Sequence, residues 1–533
     1  MQTREQPPAV TSGWRGQGAK ALQHCAAAPE LTHGQASAME TLLPFFTGHR
    51  PGGRAALLGY AGTGKTFLVG QLLQAALEHY EVQPQAGRRG WSRQSDVLVV
   101  AAPTHKAAAQ LTQTLAAAGI DGIVPITLHS ALGLRPERAE ETERFVADRS
   151  APRRIGEETH LVLVDEASMV SGELTELLLD ALPAGATLVA VGDPAQLAPV
   201  LQSSDSPLLR APVVALLEEV VRHQGPILAA ATATRELGRG RPPWKAAADD
   251  HSAVILHEGY RQWRDAALSA CVQAIQAGRP DQARLLAWTN NLVGKFNADL
   301  RTRLYGPSAP PFVEGELVVS ASAIHGPEGT PVVASTTEMV VLSAAQEEGQ
   351  LDGDELPEVR EVLLGKRASK RGDPTPPWCF WSVAARVVSS GRRVEFPVLE
   401  PDQRTAWRKA NNAIAKAARA ARDEHGKEAA ALLWNLYWDR RTLFGAIAPV
   451  SGLTVHKAQG STFETVFLAS DLDRNPSPGE LNRLAYVGIT RASRELHVLA
   501  DPPGHPRPEP EQPFRTTWGS IAVVPVLLGQ EVQ

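Results

Sequence analysis

The segment Gly59-Tyr60-Ala61-Gly62-Thr63-Gly64-Lys65-Thr66 constrains the fold of this chain more than any other. It fits the pattern G-x-x-x-x-G-K-[ST], follows the apolar run Ala55-Ala56-Leu57-Leu58 and leads into the helical Phe67-Leu68-Val69. A buried strand, a tight glycine turn and a helix N-terminus are thereby set in order. Glycines let the backbone curl until its N–H groups converge on phosphates, and the helix N-terminus adds positive potential. Lys65 is expected to reach the β- and γ-phosphates, and the Thr66 hydroxyl to ligate Mg²⁺. A plain glycine turn before a helix is the competing reading, and the flanking strand and helix count against it. Alone, the loop specifies only that a nucleoside triphosphate binds.

Three further apolar runs, Val97-Leu98-Val99-Val100, Leu161-Val162-Leu163-Val164 and Leu188-Val189-Ala190-Val191, each precede a polar or glycine-containing turn and a helix-like stretch. That alternation predicts a parallel α/β sheet covered by helices on both faces. Ligands then bind at the carboxyl ends of the strands. A second set of runs, Arg284–Trp288, Val466–Ala469 and Leu496–Leu499, predicts a second α/β domain interrupted by an insertion. Within the insertion, residues 312–398 hold β-like runs such as Leu317-Val318-Val319 and Met339-Val340-Val341-Leu342, broken by Gly and Pro, as in a small barrel. Glu347 to Pro377, charged and rich in Gly and Pro, is expected to be a flexible loop. Residues 402–438 predict two helices around Gly426, the first roughly 30 Å long at 1.5 Å per residue.

A length of 533 residues exceeds one compact core, so about three to four domains are expected. The net charge of −5 gives no global attraction to a polyanion, so a nucleic-acid partner would have to be held in a local groove. Cys25, Cys271 and Cys379 are too far apart in sequence for a zinc or iron–sulfur pattern, and three unclustered cysteines fit a reducing compartment. Arg4, Glu5 and Pro7 stand where a signal peptide would be apolar. With no apolar stretch long enough to span a bilayer, a soluble cytoplasmic protein without a membrane partner is expected.

Asp165-Glu166 ends the run Leu161–Val164. Two acids at a strand end are commonly solvated turn residues. Downstream of a phosphate loop they instead suit a metal-holding Asp165 and a Glu166 that polarises the attacking water.

At this point the chain resembles a known family. Asp165-Glu166-Ala167-Ser168 and Gly192-Asp193-Pro194-Ala195-Gln196-Leu197-Ala198-Pro199-Val200 are similar to motifs II and III of superfamily 1 helicases, and Gln-Leu-x-Pro-Val marks the RecD/Dda-like 1B branch. Leu31-Thr32-His33-Gly34-Gln35 resembles the Q motif, Ala102–Ala108 motif Ia and Thr127-Leu128-His129-Ser130 motif Ib. Arg222 matches the motif IV arginine, Thr454–Thr462 resembles motif V and Tyr486–Ala492 motif VI. The likeness spans roughly residues 30–500, with Gly315-Glu316 where the family shows Gly-Asp.

The resemblance implies two RecA-like parallel-sheet domains, 31–215 (with a small insert at about 134–158) and 216–310 joined to 446–500. Residues 311–445 would form an inserted SH3-like β-barrel plus helical hairpin, with an extension at 1–30 and a tail at 501–533. It implies ATP and Mg²⁺ as cofactors, with ATP held by Gln35, Gly59, Ala61, Gly62, Thr63, Gly64, Lys65, Thr66, Phe67 and Gly460. Thr66 and Asp165 would hold the metal; Lys65, Glu166, Gln196, Arg222 and Arg491 would carry catalysis, the two arginines reaching in from the second domain. Nucleic-acid backbone contacts would come from Pro103, Thr104, His105, Thr127 and His129 on the first domain, and from Thr289, Asn290, Thr454, His456 and Lys457 on the second.

The expected activity is ATP-dependent 5′-to-3′ helicase and translocase action by a monomer on single-stranded DNA and duplex junctions. An RNA-directed member of the branch and an ATP-gated binding switch are the alternatives. Phe145, the one aromatic in 134–158, is either a strand-separating wedge or the anchor of a small hairpin. Trp378, Trp381, Trp407, Trp434 and Trp438 sit among Arg and Lys and read chiefly as a packing seam. Lys65→Ala is expected to abolish ATPase activity with the fold intact, checked by phosphate release beside circular dichroism.

Overall fold

Uninterrupted apolar runs can be buried on both faces only in a sheet covered on both sides, and the computed structural model uses them so. It describes residues 31–81, 97–120, 122–137, 144–147, 153–199, 204–221, 225–326 and 331–500. The expected extension and tail, together with Arg222 and Val200, lie outside the described residues.

The first part of the chain supplies β1 (Arg54–Gly59), β2 (Leu98–Ala102), β3 (Ile126–Thr127), β4 (Leu134–Glu137), β5 (Arg144–Ala147), β6 (Leu161–Val164), β7 (Thr187–Gly192) and β8 (Val213–Leu217). Six of these form a sheet ordered β3-β2-β6-β7-β1-β8, with every pairing parallel. Every residue of β2, β6 and β7 is buried. Successive side chains face opposite sides of a strand. Leu57, Leu163 and Val191 therefore join one core with Leu42 and Leu72, while Leu58, Val162 and Ala190 join another with Leu174 and Leu178. β4 and β5 form a separate antiparallel hairpin.

The second sheet begins with β9 (Ala247–Ala248), β10 (Ala253–His257) and β11 (Ala283–Ala287). The chain then leaves it for β12 (Leu317–Ser320), β13 (Ile324–His325), β14 (Pro331–Val333), β15 (Glu338–Gly349), β16 (Trp378–Val387), β17 (Arg393–Leu399) and β18 (Ile447–Pro449). It returns through β19 (Gly452–Thr454), β20 (Phe463–Leu468) and β21 (Ala492–Leu499). The order β19-β11-β20-β21-β10-β9 is parallel except at the β9 edge. No helix among the described residues is long and apolar enough to cross a membrane.

The insertion is built on an antiparallel sheet, β17-β16-β15-β12-β18. Among the described residues its two end strands each pair with one neighbour, so these pairings form an open sheet. Gly315 (φ +82°) opens the turn into β12, and Glu316 stabilises that turn by accepting the Val313 N–H at 3.1 Å and pairing with Arg301 at 3.0 Å. The stretch expected as a flexible loop, Glu347 to Pro377, is a correction. β15 continues through Gly349, and helices Pro357–Leu364 and Lys366–Arg371 follow. Pro357 at a helix start, with Gly365 and Gly372 at helix ends, punctuates helices as readily as loops. Val359 anchors the first helix in the core holding Trp378 and Trp407.

Helices Arg404–His425 and Lys427–Leu443 turn back to back at Gly426. Trp407, Trp434 and Trp438 lie buried in their seam. Beneath them Arg440 pairs with Asp354 at 3.0 Å, both nearly inaccessible, while Trp378 Nε1 donates to the same carboxylate at 3.0 Å. Removing one partner of a buried pair strands the other charge. Asp354→Ala should therefore destabilise the insertion by about 3–5 kcal/mol, read as an earlier urea transition of the tryptophan fluorescence.

Candidate nucleotide site and nucleic-acid cavity

The phosphate loop leaves β1, Asp165 follows β6 and Asp193 follows β7, so the neighbouring strands deliver all three to one crevice at their carboxyl ends. Gly64 takes φ +81°, and a Cβ there would collide with the Gln35 amide. At Gly59 a Cβ would strike Thr63 and Leu217. Lys65 Nζ donates to the carbonyls of Gly59 at 2.7 Å and Tyr60 at 3.0 Å. Thr66 and Phe67 open the helix Lys65–His79, Gly62 has φ +83°, and the Thr63 hydroxyl donates to Tyr60 O at 2.9 Å.

Gln35 is buried and braces this loop. Its Oε1 accepts the Thr32 N–H at 3.1 Å in a capping box, and its Nε2 donates to Thr63 O at 3.1 Å. Each end of the amide thus has a protein partner, with one further N–H and one further lone pair to offer a base edge.

Burial raises the Asp165 carboxyl to about 7, helped by the adjacent Glu166 and opposed by Lys65. Asp193 is likewise pushed up by burial, with Lys65 and Arg491 both pulling it down. Glu166 adopts φ +50°, a left-handed conformation that non-glycine residues seldom occupy and that recurs at functional sites. Gln196 is buried, and its Oε1 has no hydrogen-bond partner among the described residues.

Two helical side chains of the second unit enter this crevice. Tyr486 accepts the Ala61 N–H at 3.0 Å and donates to Asp193 Oδ2 at 3.0 Å. Arg235 lies over the Tyr60 ring, 3.7 Å from its centre. Arg491 is buried with its guanidinium donating to Val487 O, Ser461 O and Thr490 Oγ1, at 3.0–3.1 Å, in its own unit. Gly460, φ +76°, sits one residue before Ser461 and faces Gln110 of the first unit.

A separate cavity of about 470 Å³ lies between the two sheets and the insertion, walled by Lys106, Asn290, Arg301, Arg404, Thr454 and Lys457 among others. Lys106 Nζ donates to Lys457 O at 3.3 Å, tying the first sheet's helix to the second sheet. The expected contact residues differ in what they can offer. Thr104 accepts the Ala107 N–H at 3.1 Å as a helix cap, which leaves its O–H to donate. Thr127 caps the next turn and shares a hydrogen bond with Ser130 Oγ at 2.8 Å. The Thr289 O–H is already given to Asp471 at 2.8 Å, so its neighbour Asn290 is the one of the pair that reaches the cavity.

Burial lowers the pKa of His105, His129 and His456, the last opposed by Glu480, so these rings favour the neutral form. Positive charge in the cavity comes instead from lysine and arginine. Pro103 lies half-buried beside Thr104. Phe145 stacks at a tilt on His129, ring centres 4.5 Å apart, and remains 39% exposed, consistent with the hairpin-anchor alternative.

Tyr486, Asp193, Lys106 and Arg404 were not singled out as site residues by their motifs, although the first three lie inside quoted motifs. Their partners are up to 425 positions away, and only the folded arrangement shows them. Glu166→Gln should leave ATP binding in place and lower hydrolysis by about 10²–10⁴, checked by fluorescent-nucleotide titration beside single-turnover hydrolysis.

A family model described as an AAA domain matches residues 30–258, and one described as the UvrD-like helicase C-terminal domain matches residues 449–499. The ATP-dependent DNA helicase dda of Enterobacteria phage T4 is 24% identical over 484 residues, covering 88% of this chain and 99% of the phage protein. The RecBCD enzyme subunit RecD of Mycolicibacterium smegmatis is 35% identical over 158 residues, 28% of this chain and 26% of that subunit. A crystal structure of Bacteroides Pif1 bound to ssDNA aligns with a TM-score of 0.43 at 14% identity, covering 88% of this chain and 92% of that one. The two family models, the phage and RecD relatives, and the motifs of both units in family order together support a superfamily 1B DNA helicase of the RecD- and Dda-like kind.

Proposed function

We propose that this chain is an ATP-dependent DNA helicase that moves 5′ to 3′ along single-stranded DNA as a cytoplasmic monomer and opens duplex junctions. The observation that carries the proposal is the meeting, in one crevice, of the phosphate loop, Asp165 and Asp193 of the first unit with Tyr486 of the second, beside a cationic cavity lined by Lys106 of the first unit and by residues of the second unit and the insertion. The phage T4 relative, named an ATP-dependent DNA helicase, spans nearly the same length and supports this activity.

The donor set suits Mg²⁺. Among the described residues no group of three or more His, Cys, Asp or Glu could hold a metal by itself. Magnesium in nucleotide sites takes one or two protein oxygens and completes its shell with phosphate and water, and Thr66 with Asp165 can provide those oxygens. The bound ion would neutralise charge on the phosphates. Lys65 would leave the Gly59 and Tyr60 carbonyls for the β- and γ-phosphates, while Glu166 polarises the attacking water. Gln196, with its buried Oε1 to satisfy, would sense the γ-phosphate. Arg222 and Arg491 would complete the site from the second unit, since a fixed guanidinium fork grips phosphate oxygens and stabilises charge in transfer. Gripping the γ-phosphate from both sides draws the units together, and hydrolysis releases them.

Pro103, Thr104, His105, Thr127 and His129 on one unit then alternate in grip with Asn290, Thr454, His456 and Lys457 on the other. A partial duplex with a 5′ single-stranded tail should be unwound under ATP, and one with only a 3′ tail should not. Unwinding of the 3′-tailed substrate alone, in a strand-displacement assay, would reverse the assigned direction.

A further inference from the structure

Tyr486 lies on the helix Pro478–Ile489, whose residues Leu484, Ala485, Val487 and Ile489 are completely buried in the second unit. A Cβ on Gly488 would run into Leu468 of β20, so the helix is seated closely on its own sheet. The Tyr486 hydroxyl is different: both of its partners belong to the first unit. It accepts the Ala61 N–H and donates to Asp193 Oδ2, each at 3.0 Å. The second Asp193 oxygen accepts the Ala195 N–H at 2.9 Å. The Asp193 backbone is stapled to Ser168, whose Oγ accepts the Asp193 N–H at 3.0 Å and donates to Asp193 O at 3.1 Å. Ser168 stands two residues beyond Glu166. One phenolic oxygen therefore joins the loops after β1 and β7 directly and the loop after β6 through Asp193 and Ser168.

Arg491 follows the end of this same helix and donates from Nε to Val487 O at 3.1 Å, so its placement follows that of Tyr486. A tyrosine that only filled space would not need this hydroxyl geometry, and phenylalanine would pack equally well. We propose that Tyr486 is a positioning residue for ATP hydrolysis, its hydroxyl docking the helix to which Arg491 is tied onto the phosphate loop and Asp193 of the other unit. The inference rests on the helicase function above and adds the contact through which the second unit is held in register with the reacting phosphate. The Arg235–Tyr60 stack joins the same two units independently, so loss of the hydroxyl leaves them in contact.

The test is Tyr486→Phe in the full chain, with ATPase measured at saturating single-stranded oligonucleotide. The expected kcat is about ten- to a hundredfold lower, the range that one hydrogen bond to a charged group commands. KM for ATP should stay within about threefold and the thermal midpoint should be unchanged. Asp193→Asn is measured alongside, because removing either end of one hydrogen bond should give defects that do not add in the double variant. A wild-type kcat in the Phe variant overturns the proposal. So does a raised KM with a lowered midpoint and kcat retained, which would be a packing role, and so do additive defects. A wild-type protein whose ATPase is not stimulated by the oligonucleotide sinks the helicase function, and this proposal with it.

Discussion

Two carboxyls that burial disfavours as anions, Asp165 and Asp193, share the neighbourhood of one cation, Lys65. Such an arrangement is costly in an isolated fold, because desolvated charges regain their hydration only through well-placed partners. Here the partners are arranged by topology: parallel strands β6, β7 and β1 lie side by side and end at the same edge. Lysine bonded to its own loop carbonyls, an acid held near 7 and a glutamate in a left-handed conformation describe a site whose best partner is a polyanion with its counter-ion. The rest of the molecule follows from that edge, since the second sheet meets it and the insertion extends from the second sheet.

Much of this was legible in the sequence for a simple reason. The strands are buried on both faces and read as solid apolar runs, and the phosphate loop needs glycine where a Cβ would collide with Gln35 or Thr63. The return of the chain into β19, β20 and β21 was legible from the same kind of run. What was not legible has a common physical cause. Pro357, Gly365 and Gly372 mark the boundaries of short helices, and their composition alone cannot be told from that of a loop. The stabilising partner of that segment is tertiary, Val359 against Trp378 and Trp407.

Candidate site residues divide along the same line. A motif gives the residue type, while the fold decides which of its hydrogen bonds is still free. Thr289 and Thr104 both read as backbone donors, yet the Thr289 O–H is committed to Asp471, whereas the Thr104 oxygen accepts from Ala107 and keeps its O–H to give. Gln35 reads as an adenine contact and is found also bracing Thr63. Tyr486 inside its motif carries no sign that its hydroxyl crosses to another unit. The pairing with Ala61 spans 425 positions and exists only once both sheets have formed.

Among the contacts between the units, two lie at the nucleotide crevice and at the cavity wall. Tyr486 meets Ala61 and Asp193 at the nucleotide crevice, and Lys106 meets the Lys457 carbonyl at the cavity wall. Both join the same two units. The insertion enters this linkage through Glu338, which pairs with the buried Arg284 of β11 at 3.3 Å and, together with Lys106 and Arg404, lines the cavity. Burial raises the Glu338 carboxyl, and Arg284 beside it opposes that shift. An acid in a cationic wall keeps Lys106 and Arg284 from repelling one another when no polyanion is near. A strand of phosphates entering such a cavity would meet a surface whose charges already balance.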